Sequence, residues 1–321
     1  MTIQEITRQE LDPQAFIARQ VEAISATVGD GLAINALSGG VDSSVVTLLA
    51  HKALGDRLLT VFVENGIMRK DEPQRVTARF EELGVPVDLI DARQAFFDAL
   101  QGLTDPEEKR EAITQTFYKT VFGKLVQESG AKFLLHGTIL TDVDETVAGI
   151  KRQHNILTQL GIDTEAMYGY QVIEPLLQLR KPAVRAVAQA LGLPAAVYDR
   201  MPFPGPALAA RIIGPVTPQR VETVREATAI VEEELAASDA FQYLAILHQD
   251  RVTGVREGKR DFGLQIEVRC WDSEDARTGS PTHLPFETLE RLADRITCQV
   301  PGVVSVTYNI AKKPPSTIEA I

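Results

Sequence analysis

The sequence predicts an α/β fold, with a parallel sheet wrapped by helices over residues 1–206 and a smaller α+β domain over residues 207–321. Three observations predict it. Short apolar runs ending in turn residues alternate with helical periodicity through the first part of the chain. Three prolines and a glycine then crowd the five residues from Pro202 to Pro206, a rigid stretch that reads as a domain boundary. Beyond it the alternation stops and a different order of helix and strand begins. A length of 321 residues also exceeds what one core usually organises.

The elements follow in order. Gly31–Leu37 is an apolar run closed by Ser38-Gly39-Gly40, a buried strand. Asp42 to Leu54 carries Val45, Val46, Leu48, Leu49 and Leu54 as a helical stripe. Arg57–Glu64 is the second strand. Glu72 to Gly84 is a helix ended by its glycine, and Val85–Asp91 is the third strand. Asp105–Gly130 reads as one long helix, with acidic residues at the positive end of its dipole. Ala131–Thr138 is the fourth strand, and Val172–Leu179 with a helix from Lys181 to Leu191 completes the unit. Strands separated by helices pair in parallel through right-handed crossovers, and ligands bind beyond their carboxyl ends. Ser38, Glu64 and His136–Thr138 lie at those ends and should converge. In the second part, Thr217 caps a helix that has Pro218 at its first position. Phe241–Gln249, Phe262–Trp271 and Gly302–Ala311 read as strands, and Pro285–Val300 as a helix.

Composition narrows the function classes. Hydrophobic content of 44% and charged content of 24% are those of an ordinary globular chain. A net charge of −11 and a pI near 5.1 argue against a nonspecific nucleic-acid binder. No apolar run approaches the ~20 residues of a membrane span, and the amino terminus lacks the basic start and apolar core of a signal peptide. Cys270 and Cys298 show no C-x-x-C spacing, so neither a disulfide framework nor a cysteine metal site is expected. A reducing cytoplasm fits these features.

The segment Ser38–Ser44, "SGGVDSS", carries the chemistry. Gly39 and Gly40 let the backbone approach an anion, Ser38, Ser43 and Ser44 add hydroxyls, and the following helix offers free N–H groups. There is no lysine, so this is not the loop that grips a transferable γ-phosphate. It suits a phosphate group that departs as a unit. Asp42, at the helix start, serves as a cap or beside a metal.

This string resembles the motif of the N-type ATP pyrophosphatases, or PP-loop enzymes. Over most of its length the chain resembles the ATP-pyrophosphatase part of the GMP synthetases, in "ALSGGVDSSV", "TDPEEKR", "HGTI", "PFPGPALAARIIG" and the carboxyl-terminal "KPPSTIE". The resemblance implies an adenine nucleotide α-hydrolase-like domain followed by a dimerisation domain, in a homodimer, with xanthosine monophosphate (XMP) at the domain junction. It implies attack of the xanthine O2 on the α-phosphate of ATP, with Mg²⁺, release of pyrophosphate, and displacement of AMP by ammonia. Carried over residue by residue, ATP falls to Ser38, Gly39, Gly40, Val41, Asp42, Ser43, Ser44, Val63 and Gly137. Asp42, Lys151 and Asp142 become catalytic, with Mg²⁺ on Asp42, and Glu145 joins Asp142 in an acidic loop. Arg269, Lys313, Thr317, Ile318 and Glu319 become the acceptor site. No glutaminase nucleophile elbow is present, so ammonia comes from solution or from a separate glutamine amidotransferase subunit.

The chain departs from the family pattern at Thr141–Thr146, after Lys151, at Leu177 and Gln178, at Ala207, and through Glu267–Pro285, where Arg269, Asp275 and Thr278 keep matches. Two alternatives therefore stay open beside amination of XMP. One is a paralogue that adenylates another nucleotide-like acceptor for nitrogen or sulfur transfer, and the other is a non-catalytic nucleotide-binding scaffold.

Overall fold

The computed structural model describes residues 3–147, 170–256, 258–274 and 276–320. The chain forms two compact units, one of Met1–Glu64, Glu72–Asp91 and Phe117–Arg200, the other of Asn65–Asp71, Ala92–Thr116 and Met201–Ile321. Sequence reasoning draws a single cut after residue 206. The units interleave instead, because two internal segments join the carboxyl-terminal half.

The first unit begins with α1 (Pro13–Val28), capped by the Asp12 carboxylate, which accepts from the N–H groups of Gln14 and Ala15. It continues through β1 (Ala33–Ala36), α2 (Val41–Leu54), β2 (Leu58–Glu64), α3 (Glu72–Glu82) and β3 (Asp88–Asp91). The sheet is parallel in the order β3-β2-β1-β4-β5, where β4 is Phe133–Leu135 and β5 is Gln171–Ile173. Ala33 of β1 lies opposite Leu58 on one side and Phe133 on the other. The chain leaves β1 toward β2 and later returns to β4, so the carboxyl end of β1 is the topological switch point. Ile34, Val61 and Leu134 on one face pack against Phe122 and Val126. Such burial stabilises by about 1.5–3 kcal/mol per large side chain. α2 is buried from Val45 through Ala50, which marks it as the central helix rather than an amphipathic one.

Between β3 and β4 run α4 (Arg93–Leu100), α5 (Pro106–Gln115) and α6 (Gly123–Ser129). The single long helix expected here is divided by a π-helical stretch, Thr116–Phe122, and the chain passes between units within it. Gly123 permits the widened turn, since a Cβ there would come 2.9 Å from the Tyr118 carbonyl oxygen. After β4 come α7 (Leu140–Val147) and α8 (Lys181–Ala190).

In the second unit the proline-rich stretch, with Pro202 and Gly205 exposed, leads directly into a 3₁₀ turn of wholly buried residues, Ala207–Arg211. α9 (Pro218–Glu234) is capped as expected, Thr217 Oγ1 accepting from Arg220 N at 3.3 Å. β6 (Gln242–Arg256) and β7 (Lys259–Asp272) form a long antiparallel hairpin. β7 also pairs with β8 (Ser280–Pro281) and, in parallel, with β9 (Val303–Tyr308), which follows α10 (Phe286–Gln299). The strands outrun the predicted ones because their charged outer residues read as loop. Gly254 and Gly263 let this arm lie on Val304, which a Cβ would approach within 2.7 and 2.5 Å.

Candidate active site

Ser38–Ser44 bridges the end of β1 and the start of α2. Gly39 has φ +76°, and a Cβ there would lie 2.8 Å from Val76 Cγ2 and 3.2 Å from an Arg200 nitrogen, so only glycine fits. Gly40 is the N-cap of α2 and no side chain caps the helix, which leaves its first N–H groups free for a ligand. Ser43 ties the loop together. Its hydroxyl donates to Gly40 O at 3.0 Å, accepts from Ser38 N at 3.2 Å and lies 2.9 Å from Ser38 Oγ. Beneath it a buried chain runs from Thr60 Oγ1 to Asn35 Oδ1 (2.9 Å), from Asn35 Nδ2 to Thr47 Oγ1 (2.6 Å) and from Thr47 Oγ1 to Ser43 O (2.8 Å). The loop is thus pinned to β1 and β2 from below. Ser44 Oγ is buried without a hydrogen-bond partner among the described residues.

Asp42 Oδ2 accepts from Lys181 Nζ at 2.6 Å, while Asp42 Oδ1 is buried without a partner among the described residues. Burial pushes the Asp42 carboxyl up and Asp142 adds to this, against the opposing charges of Lys181 and Arg185. Gly137 lies directly against this point, since a Cβ there would touch the Asp42 carbonyl carbon and Ser43 N at 3.3 Å. His136 Nδ1 lies 2.9 Å from Thr138 Oγ1 and its Nε2 lies 3.4 Å from Tyr118 Oη. Burial pulls the imidazole down to about 4 and pushes the Tyr118 phenol up to about 12, so both are neutral at pH 7.

The structure therefore gathers Ser38 through Ser44 and Gly137 around one helix start. Val63 is buried in β2, one residue short of its carboxyl end. Asp142 sits in α7 and not in a loop. Its carboxylate accepts from Ile139 N at 3.0 Å, the return half of a capping box. Lys151 and Asp275 lie outside the described residues, as does the side chain of Glu145. Sequence reasoning missed Lys181, Arg185 and Arg200, three cations of this unit that act on the loop. Helix-start and linker positions gave no sign of which way they would point.

The acceptor residues expected from the sequence cluster in the second unit. Arg269, on β7, donates through Nη1 to the carbonyls of Thr317 (2.7 Å), Ile318 (3.3 Å) and Glu319 (3.2 Å). Ile318 is buried with Leu244, Ile246 and Trp271, and Thr317 Oγ1 donates to Glu319 O at 2.6 Å. Glu319 accepts from Arg211 Nε and Nη2 at 3.1 and 3.2 Å and from Gln242 Nε2 at 2.7 Å. Arg211 Nη1 remains buried and unpartnered among the described residues, beside the Phe203 ring. Lys313 Nζ donates to Ala276 O at 2.7 Å, on the wall of an open cleft of about 1020 Å³ that also presents Asp272, Ser273 and Lys312. Arg211 and Gln242 were not singled out in the sequence, since their partner lies far along the chain.

Comparison with known proteins agrees with both halves. The family described as NAD synthase matches residues 13–205, and the GMP synthase C terminal domain matches residues 229–320. A subunit of the glutamine-hydrolyzing GMP synthase of Archaeoglobus fulgidus is 47% identical over 309 residues, covering 96% of this chain and 99% of that protein. The chain belongs to this GMP synthase family. The corresponding GMP synthase subunits of Methanopyrus kandleri and Thermococcus kodakarensis are 44% and 47% identical, over 96% and 95% of this chain and 99% and 98% of theirs.

Proposed function

We propose that the chain aminates XMP to GMP at the expense of ATP, releasing AMP and pyrophosphate, as the synthetase half of a GMP synthase whose ammonia is delivered by a separate glutaminase subunit. The observation that carries this is the uncapped, lysine-free start of α2 behind Gly39-Gly40, with Lys181 beside it. The Gly40 and Val41 N–H groups, with the Ser38 and Ser43 hydroxyls, cradle the β- and γ-phosphates. Lys181 lies beside them to balance charge as pyrophosphate departs, the main electrostatic contribution such a site can make. The unpartnered Asp42 Oδ1 fits a divalent cation that would take its other ligands from phosphate oxygens, as Mg²⁺ commonly does. Mg²⁺ bound there would neutralise charge on the triphosphate. Holding acceptor and α-phosphate in line supplies the remainder.

For the acceptor, the second unit offers Lys313 to a phosphate and the Arg211–Glu319–Gln242 cluster to a base. Glu319 is already held by two donor residues, so it meets a purine N–H through its remaining lone pairs. We assign the exposed outer face of the β6–β7 arm, with Val255 76% and Phe262 60% exposed, to a homodimer contact. No described helix is long and apolar enough to cross a membrane. The test is an acceptor screen scored by AMP and pyrophosphate. GMP formation from XMP, ATP and ammonium is the expected result. Pyrophosphate release with a different acceptor and not with XMP would overturn the substrate, and no release with any acceptor would overturn the chemistry.

A further inference from the structure

The geometry points to Arg200 as a positioning residue that aims the anion cradle from behind, through the Gly39 carbonyl. Three observations meet here. Arg200 Nη1 donates to Gly39 O at 3.1 Å. Arg200 Nη2 is held by Glu72 Oε1, and the Glu72 side chain is only 3% exposed. Gly39 has φ +76° and sits too close to Val76, Arg200 and Glu72 to carry a side chain. A carboxylate buried this deeply is costly unless paired, and its other oxygen has no partner among the described residues. The fold retains that cost at the one place where the loop turns.

The consequence follows from peptide geometry. The Gly39–Gly40 unit is planar and trans, so its C=O and N–H point in opposite directions. A carbonyl drawn toward Arg200 turns the Gly40 N–H the other way, into the concave side of the loop. The only described acceptor for that N–H is Ser38 Oγ at 3.4 Å, a bond long enough to yield to a phosphate oxygen. Turning this peptide over changes ψ of Gly39 and φ of Gly40, now −76°, and Gly40 allows it because glycine populates positive φ about as readily as negative. Without Arg200 the cradle would lose its aim by rotation of one peptide, while the sheet and α2 stayed intact. Arg200 touches no substrate. It acts only through backbone, and Glu72 acts only through Arg200.

This inference rests on the loop being the site for the β- and γ-phosphates, and the test separates the two ideas. Binding of pyrophosphate, ATP and AMP with Mg²⁺ is measured by calorimetry on the parent, Arg200→Ala, Arg200→Lys and Glu72→Gln. Arg200→Ala should weaken pyrophosphate and ATP by about tenfold or more. It should leave AMP, which lacks the cradled phosphates, unchanged. Guanidinium ion at low concentration should restore part of the pyrophosphate binding. Arg200→Lys and Glu72→Gln should show smaller losses in the same order, and they serve if the alanine variant does not fold. Pyrophosphate binding equal to the parent's in all three variants overturns the positioning role. Equal loss of AMP and pyrophosphate, with lowered thermal stability, makes Arg200 a general support and overturns it too. A parent that binds no pyrophosphate overturns the reading of the loop, and this inference with it.

Discussion

The loop after β1 and the carboxyl-terminal strap at Thr317–Glu319 are both short segments held by arginines, yet the first leaves a helix start open while most of the second's polar groups are taken up. Around Gly40 the helix start is uncapped, and Asp42 Oδ1 and Ser44 Oγ are unpartnered among the described residues. At the strap, Arg269 takes three carbonyls and Glu319 takes three donor contacts from Arg211 and Gln242. The contrast shows what each segment is fitted for. Unmet polar groups at an otherwise rigid turn are costly unless something binds there. A denser network fixes a chain end and leaves Lys313 at its rim, the remaining lone pairs of Glu319 and Arg211 Nη1, unpartnered among the described residues, for a ligand.

The strongest effect should come from breaking the first side of this contrast. A Cβ at Gly40 meets only Ser38 Oγ, at 3.5 Å, so Gly40→Val should fold normally while its isopropyl group fills the cradle. Calorimetry should show ATP binding abolished with the melting temperature unchanged. Retained affinity would refute the anion site.

Arg211→Ala attacks the other side. It leaves Glu319 partly buried opposite a lost guanidinium, and breaking a buried pair from one side costs about 3–5 kcal/mol. Denaturant unfolding should show a loss of that size, while pyrophosphate binding by the first unit persists. Loss of pyrophosphate binding instead would mean the two clusters are not separable.

Lys313→Ala removes a cation from the rim and not from the network. Acceptor binding should weaken at least tenfold, as expected on losing a charged contact to phosphate, with ATP binding nearly unchanged. Titrating ATP and XMP separately decides it, and an unaltered XMP affinity would remove Lys313 from the acceptor site.

The last effect appears only in acid. His136 is held neutral, its value lowered from 6.5 to about 4, so the unfolded chain binds the extra proton and stability falls as pH drops from 6.5 toward 4. Burial alone would raise Glu267. Hydrogen bonds from His248, Arg269 and Asn309, with the Arg269 charge, outweigh it and bring the carboxyl from 4.5 to about 2. Its contribution is complete above pH 4.5 and is lost as pH falls toward 2. His136→Gln should flatten the first limb of a stability–pH curve and Glu267→Gln the second. A curve unchanged by both would show that neither group is linked to folding.

What could be read from residues alone was what depends on neighbours in sequence. Four of the parallel strands, the Thr217 cap, the glycine-rich turn and the absence of a lysine are local, because backbone preference and hydrophobic period act over a few residues. The family resemblance, carried by short local strings, pointed to ATP in the same way. The π-helical stretch was hidden because Thr116–Phe122 continues an ordinary helical pattern, and what permits it, Gly123 beneath the Tyr118 carbonyl, is a single contact. The long hairpin was hidden because charged outer residues of a two-sided arm look like loop.

Which polar groups meet was settled by the three-dimensional fold alone. Lys181 reaches Asp42 across 139 residues, Arg200 reaches Gly39 across 161, and Arg211 reaches Glu319 across 108. No periodicity encodes such pairs. The first two exist because parallel crossovers return distant segments to the same ends of the strands, and the third because a buried charge is stable only where the fold brings it a partner.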